Sequence, residues 1–237
     1  MKTPTAVVFD IYGTLLDIGK SAENAGTLWK ELHNEFFGCD PTVTLEQLSE
    51  RCTRNVSADH AAAHARGIGH PEVVWADVMK RALPGLAFVG KERLEDFLFR
   101  HVQLLRSLRL SPGGADSLRE CLGRGLLLGI ASNAQPYTLR ELKEKLKGGG
   151  LSPEIFARDL CMWSFENGFS KPNPHVFRML AFRLERRGIR PEETLVIGDR
   201  LDNDIEPARA QGFQTWWLNK SPEGNWQALA AARFSPG

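Results

Sequence analysis

The stretch Ala6-Val7-Val8-Phe9-Asp10-Ile11-Tyr12-Gly13-Thr14-Leu15-Leu16 decides the fold. A four-residue apolar run ends abruptly in a carboxylate, and a glycine three residues later permits a tight turn. Two further runs have the same form: Leu126 to Ala131 ends at Ser132, and Leu195 to Ile197 ends at Gly198-Asp199. Continuous apolar runs of this length read as strands buried on both faces, which is the pattern of a parallel sheet. In an open parallel sheet, ligands bind beyond the carboxyl ends of the strands, so the three polar endings should converge there. A late run, Gln214 to Leu218, reads as one more strand, with Trp216 and Trp217 as packing residues.

Helix-like stretches lie between these runs. Asp116 to Arg124 and Thr138 to Lys147 have helical spacing, and Gly148-Gly149-Gly150 is a stop. Asn173-Pro174 signals another start, with Asn as N-cap and Pro at the first helical position, and the helix runs through Phe177, Leu180 and Leu184. The segment from Asp17 to Leu110 is helical in spacing nearly throughout, with a break at Gly67-Ile68-Gly69-His70-Pro71, and Ser111-Pro112-Gly113-Gly114 marks the return. The expected architecture is α/β: a Rossmann-like three-layer core from residues 1–16 and 111–237, with an inserted, mainly helical cap over 17–110.

The chain has 237 residues, enough for such a core and a smaller second unit. With 42% hydrophobic and 25% charged residues it is ordinarily globular, and 30 basic against 29 acidic side chains leave a formal charge of +1. That balance offers no footprint for nucleic acid or anionic lipid and favours a small-molecule partner. No apolar run spans a bilayer and no signal peptide is evident, so a cytoplasmic location is expected. Cys39, Cys52, Cys121 and Cys161 contain no Cys-x-x-Cys pair and read as reduced.

Four segments taken in order carry the functional reading: Phe9 to Leu16, Ser132-Asn133, Lys171-Pro172, and Gly198-Asp199-Arg200-Leu201-Asp202-Asn203-Asp204. They resemble the four ordered motifs of the haloacid dehalogenase-like hydrolase superfamily, and the insertion behind the first resembles that family's first-type helical cap. Taken singly each has an ordinary explanation: Asp10 as a turn residue, Asp199 or Asp204 as an N-cap, Thr14 and Ser132 as local caps, Lys171 as a solvated charge. Gathered in one crevice they make a site. Asp10 is then the nucleophile, able to form a covalent intermediate. Lys171 keeps Asp10 ionised and neutralises the transferred group. Thr14, Ser132 and the Asn133 backbone N–H hold phosphoryl oxygens. Asp10, Asp199 and Asp204 are the hard oxygen donors that Mg²⁺ prefers, and the resemblance adds the backbone carbonyl of Tyr12 as a further ligand. Asp202 and Asn203 read as loop residues.

Tyr12 divides the resemblance. Phosphatases of the superfamily usually carry a second Asp there as general acid and base, and a phenol, with a reference pKa of about 10 against about 3.9 for Asp, does not replace it unaided. Asp-x-Tyr-Gly-Thr is similar instead to the 2-haloacid dehalogenase branch, which works without metal and expels halide without a proton. The last motif keeps the metal-binding pattern, however, and Gly38-Cys39-Asp40-Pro41 stands where the dehalogenases usually place an arginine. The leading expectation is a Mg²⁺-dependent phosphohydrolase acting on a small phosphate ester or acyl phosphate. The alternatives are a metal-independent 2-haloacid dehalogenase and a non-catalytic phosphate- and metal-binding protein. His60 and His64 share a helical face without a third ligand nearby in sequence, and with His33, His70 and His101 they read as cap surface or substrate-tuning residues.

Overall fold

A computed structural model describes residues 3–219 and 221–233. Strand β1 (Ala6–Phe9) leads through the Asp10 turn into β2 (Leu16–Gly19), and then helices α1 (Ala25–Phe37), α2 (Leu45–His64), α3 (Trp75–Ala82) and α4 (Lys91–Leu105) follow. The chain returns through β3 (Ser107–Leu110), α5 (Pro112–Gly123), β4 (Leu127–Ser132), α6 (Tyr137–Gly148), β5 (Phe156–Trp163), α7 (Ser164–Asn167) and α8 (His175–Glu185). It closes with β6 (Thr194–Gly198), α9 (Glu206–Arg209), β7 (Gln214–Trp217) and α10 (Trp226–Arg233).

The main sheet has the order β5-β4-β1-β6-β7, and every pairing in it is parallel. Its three layers follow from the period-2 alternation of β1. Val7 and Phe9 pack with Leu118, Leu142 and Leu146 of α5 and α6 on one face, while Ala6 and Val8 pack with Phe177, Leu180 and Ala208 of α8 and α9 on the other. All four strand residues are fully buried, which is why they read as an uninterrupted apolar run. The strand register aligns Phe9 with Ile130 of β4 and Ile197 of β6, so Asp10, Ala131 and Gly198 begin the rim together.

The inserted helices have their own core, centred on Trp29, Leu48, Val78, Met79, Leu86 and Phe97. Helix α2 starts with a capping box, in which Thr44 Oγ1 accepts from Gln47 N–H at 3.1 Å and Thr44 N–H donates to Gln47 Oε1 at 2.9 Å. The cap joins the core through an antiparallel ribbon, β2 with β3, which pairs Leu16 with Leu110 and Gly19 with Ser107.

The structure adds local detail to the sequence reading at three places. Strand β5 was not expected, because Arg158-Asp159 interrupts its apolar run; it lies at the sheet edge, where these side chains reach solvent. At Ser111–Gly114, which marks the return to the core, Pro112 opens α5, and Gly113 lies in its first turn, where a Cβ would sit 2.4 Å from Trp226 Cγ. The segment expected to be mainly helical is so, with the β2–β3 ribbon at its two ends. No helix among the described residues is long and apolar enough to cross a membrane.

Candidate active site

The turn after β1 is built to project one carboxylate. Asp10 N–H donates to Ile197 O at 2.9 Å and extends the β1–β6 ladder by one residue. The chain then folds back, with Thr14 N–H and Leu16 N–H both donating to Ile11 O at 3.2 and 2.8 Å. Gly13 adopts φ 87°, and a Cβ there would lie 2.3 Å from Asp199 Oδ2, so no other residue fits. Gly198 has a similar role: its Cβ would fall 2.4 Å from Asp204 Cβ.

Four charged groups meet at this rim. Lys171 Nζ donates to Asp10 Oδ1 at 2.7 Å, to Asp204 Oδ1 at 2.5 Å and to Ala131 O at 2.7 Å. Carboxylate oxygens of Asp10, Asp199 and Asp204 lie within 4.8 Å of one another. Asp204 is oriented by Arg200 N–H, 3.0 Å from its Oδ2, and Trp217 Nε1 donates to Asp199 O at 2.9 Å. Asp10, Lys171 and Asp204 are all buried, and removing one partner of a buried ion pair typically costs about 3–5 kcal/mol. Three carboxylates surround one ammonium, which leaves excess negative charge in a poorly solvated place.

That excess shows in the acidities. Burial pushes Asp10 up to about 6; Lys171 opposes this, and Asp204 and Asp199 add to it. Asp199 is likewise raised, by burial and then by Asp204. Burial alone would weaken the Lys171 ammonium, but Asp10 and Asp204 more than reverse it, and its pKa stands above the ordinary value. A cluster of hard oxygens with surplus negative charge is suited to a divalent cation.

Asn133 takes a part that the sequence did not reveal. Its side-chain Nδ2 donates to Lys171 O at 2.9 Å and its Oδ1 accepts Lys171 N–H at 2.7 Å, so the amide clamps the backbone beneath the ammonium. Ser132 ends β4, and its buried hydroxyl makes a long contact, 3.5 Å to Asn133 O. Thr14 is fully buried, with a hydroxyl that has no hydrogen-bond partner among the described residues.

Tyr12 turns its hydroxyl to other partners. The phenol donates to the Glu141 carboxylate and lies 2.8 Å from Thr138 Oγ1, both on α6. Glu141 is fully buried and also accepts from Gln103 Nε2 of α4 at 2.7 Å and from Arg106 Nη2 at 3.1 Å. The Arg106 guanidinium caps the Tyr12 ring 4.2 Å from its centroid. Burial and the Glu141 carboxylate hold the phenol well above its ordinary range, so it keeps its proton. Tyr12 thus ties the Asp10 loop to α6 and to Arg106 at the base of the inserted helices.

The remaining candidates fall elsewhere. Asp202 is exposed and paired with Arg200 at 2.7 Å, whereas Asn203 is buried. His60 and His64 stand 6.3 Å apart by ring centroids, and His64 Nε2 meets Gly69 O at 3.1 Å. His101 is buried beside Trp29 and Phe97. All four cysteines are free. A cavity of about 630 Å³ between cap and core is lined by Trp75, Leu94, Leu98, Phe99, Tyr137 and Phe165, and none of the clustered carboxylates lines it.

The family model described as haloacid dehalogenase-like hydrolase matches residues 4–212. A phosphoserine phosphatase of Thermus thermophilus is 34% identical over 115 residues, which cover 48% of this chain and 43% of that protein. The chain thus spans less than half the length of that relative. A glyceraldehyde 3-phosphate phosphatase of Methanopyrus kandleri is 48% identical over 210 residues, covering 89% of this chain and 82% of that one. Among solved structures, a 2-haloacid dehalogenase from Pseudomonas syringae pv. tomato superposes with a TM-score of 0.60 at 21% identity, over 98% of this chain and 100% of the other. That likeness concerns the fold.

Proposed function

The chain belongs to the haloacid dehalogenase-like hydrolases, and from that premise we propose that it is a Mg²⁺-dependent phosphohydrolase acting on a small phosphorylated molecule. Residues 1–16 and 111–237 serve as the catalytic core and 17–110 as its cap. The observation that carries the reading is the cluster of Asp10, Asp199 and Asp204 around a single ammonium. Surplus negative charge would repel a haloacid carboxylate, and a bound cation makes the same cluster attractive to phosphate. The phosphatase names of the relatives support the same choice.

Asp10, Asp199 and Asp204, with the Tyr12 backbone carbonyl, fit Mg²⁺, which when bound neutralises the cluster and draws the phosphate to it. A carboxylate oxygen of Asp10 attacks phosphorus, and the bond to the leaving oxygen breaks with its electron pair going to that oxygen. Lys171 keeps Asp10 ionised and offsets charge on the transferred group; the Ser132 hydroxyl, the Asn133 backbone N–H and Thr14 hold the phosphoryl oxygens. Water then hydrolyses the acyl phosphate, releasing inorganic phosphate and restoring the Asp10 carboxylate. The Tyr12 hydroxyl, committed to Glu141, gives no proton to the leaving oxygen. Leaving groups stable as anions therefore suit the site, which favours acyl and aryl phosphates over alkyl esters.

The same feature of Tyr12 favours halide departure as the second reading. The purified chain is to be assayed with Mg²⁺ and with chelator against acetyl phosphate, 4-nitrophenyl phosphate, glycerol 3-phosphate and L-2-chloropropionate. Metal-dependent phosphate release, faster for the first two esters, is the expected result. Chloride release that survives chelation would replace the proposal with the dehalogenase reading.

A further inference from the structure

Asp10, Ser132, Lys171 and Asp204 are each more than nine-tenths buried, so a substrate reaches them only through some opening of the structure around them. Besides the α6 contacts, among them Arg140 Nη1 donating to Asp96 Oδ1 at 2.8 Å, two contacts that hold the cap down fall on the core loops that carry the candidate site. Between α2 and α3, the cap segment 70–75 pairs antiparallel with the residues just before Lys171: Ser170 N–H donates to His70 O at 3.1 Å, and Glu72 N–H to Gly168 O at 3.2 Å. The second of these two is Gln135, two residues beyond Asn133. Its Nε2 donates to Glu72 Oε1 at 2.9 Å and to Val73 O at 3.1 Å, and its Oε1 accepts Trp75 N–H at 3.3 Å.

We propose that Gln135 is a positioning residue, the latch that holds the cap closed over the Asp10–Lys171 centre. Each hydrogen bond of its side-chain amide goes to the cap and none to its own loop, so the side chain holds the closed arrangement rather than the local turn. Its backbone does the reverse. Gln135 N–H donates to Thr138 Oγ1 at 3.1 Å, and the same oxygen lies 2.8 Å from the Tyr12 hydroxyl. One hydrogen-bonded series therefore runs from the cap segment through Gln135 and Thr138 to the nucleophile loop, and on through Glu141 to Gln103 and Arg106 at the base of the inserted helices. A polar latch also suits a gate that must open repeatedly. Water satisfies the amide and its partners when the cap lifts, so each bond adds only modestly to the closed state.

Backbone hydrogen exchange in the full chain with Mg²⁺ tests this, read at the Glu72 and Ser170 amides, which do not bond to Gln135, with residues 127–132 as control. Gln135→Ala should speed exchange at Glu72 and Ser170 by about tenfold and leave the control unchanged. Gln135→Glu should do the same, since it loses both donors and faces the Glu72 carboxylate. Adding Glu72→Gln restores a donor to that pair, so the double variant Gln135→Glu/Glu72→Gln should return to within about threefold of the parent. kcat/KM for the best phosphate ester should fall and recover in parallel. Unchanged exchange in Gln135→Ala, failure of the double variant to rescue, or acceleration that includes residues 127–132 would each overturn the proposal. The exchange readout does not depend on which substrate is turned over, so it stands or falls apart from the phosphohydrolase reading.

Discussion

Replacing Tyr12 by Phe separates the two roles open to that residue. The variant deletes a hydroxyl donated to a fully buried carboxylate, a hydrogen bond of the charged class, worth about 1.5–3 kcal/mol net. The aromatic face stays under Arg106, and Glu141 keeps its bonds from Gln103 and Arg106, so nothing else need collapse. For a chain of this size each kcal/mol lowers Tm by roughly 2–4 °C, so scanning calorimetry should show a fall of about 3–12 °C. Turnover of glycerol 3-phosphate, whose alkoxide leaving group needs a proton, should change by less than about threefold, because the hydroxyl does not serve the leaving group. The pH profile should superimpose on that of the parent, since the buried phenol stays protonated throughout the working range. A general acid would behave oppositely, with a loss of about 10²–10⁴ in kcat and little change in Tm. That opposite pattern would refute the structural assignment of Tyr12.

Asp10→Asn should abolish turnover while the fold persists, as judged by circular dichroism. In the metal-free protein the raised Asp10 pKa means that this group favours the folded state at low pH and that the contribution is lost as pH rises through about 6. With chelator present, the Tm of Asp10→Asn should therefore gain on that of the parent between pH 5 and 7, and a constant difference would contradict the raised pKa. Asp199→Ala removes one of few hard ligands, and calorimetry should show Mg²⁺ affinity falling at least about tenfold. Asn133→Ala releases the Lys171 backbone and should lower kcat by about 10–100-fold with a smaller change in KM; equal activity would show that the clamp is dispensable.

The sequence disclosed whatever depends on local pattern. Val7 to Phe9 and Leu195 to Ile197 are apolar because both faces of the sheet are covered, and the polar residue ending each run lies at the rim for the same reason. The inserted helices announced themselves through spacing and through the break at Gly67-Ile68-Gly69-His70-Pro71. What stayed hidden depends on partners far along the chain. Tyr12 looked like a defective acid, and its true partner stands 129 residues away. Glu141 itself sits in the run Arg140-Glu141-Leu142-Lys143-Glu144-Lys145, which reads as a solvated helix face although that carboxylate is fully buried. Asn133 was read for its backbone N–H, while the side chain proved to hold Lys171. No periodicity distinguishes a Gln that bonds across an interface from one that faces water, and Gln135 went unremarked for that reason.

The pairing of β1 has a consequence for how the molecule comes into being. Ala6 finds its neighbours only at Leu127 on one side and Thr194 on the other. As the chain leaves the ribosome, the residues of the helical insertion's own core emerge close together, whereas the strand that presents Asp10 emerges well before both of its neighbours and waits bare. Pairings this distant in sequence are the slow ones, since a large loop must close before either ladder forms. The central strand is then the last element to be enclosed, and its four fully apolar residues are the stretch most in need of shelter during synthesis. Truncation after β4 would leave one edge of β1 open, and only arrival of β6 seals it. The carboxylate cluster, with Asp199 and Asp204 beyond β6, is therefore completed in the same late step that closes the open edge of β1.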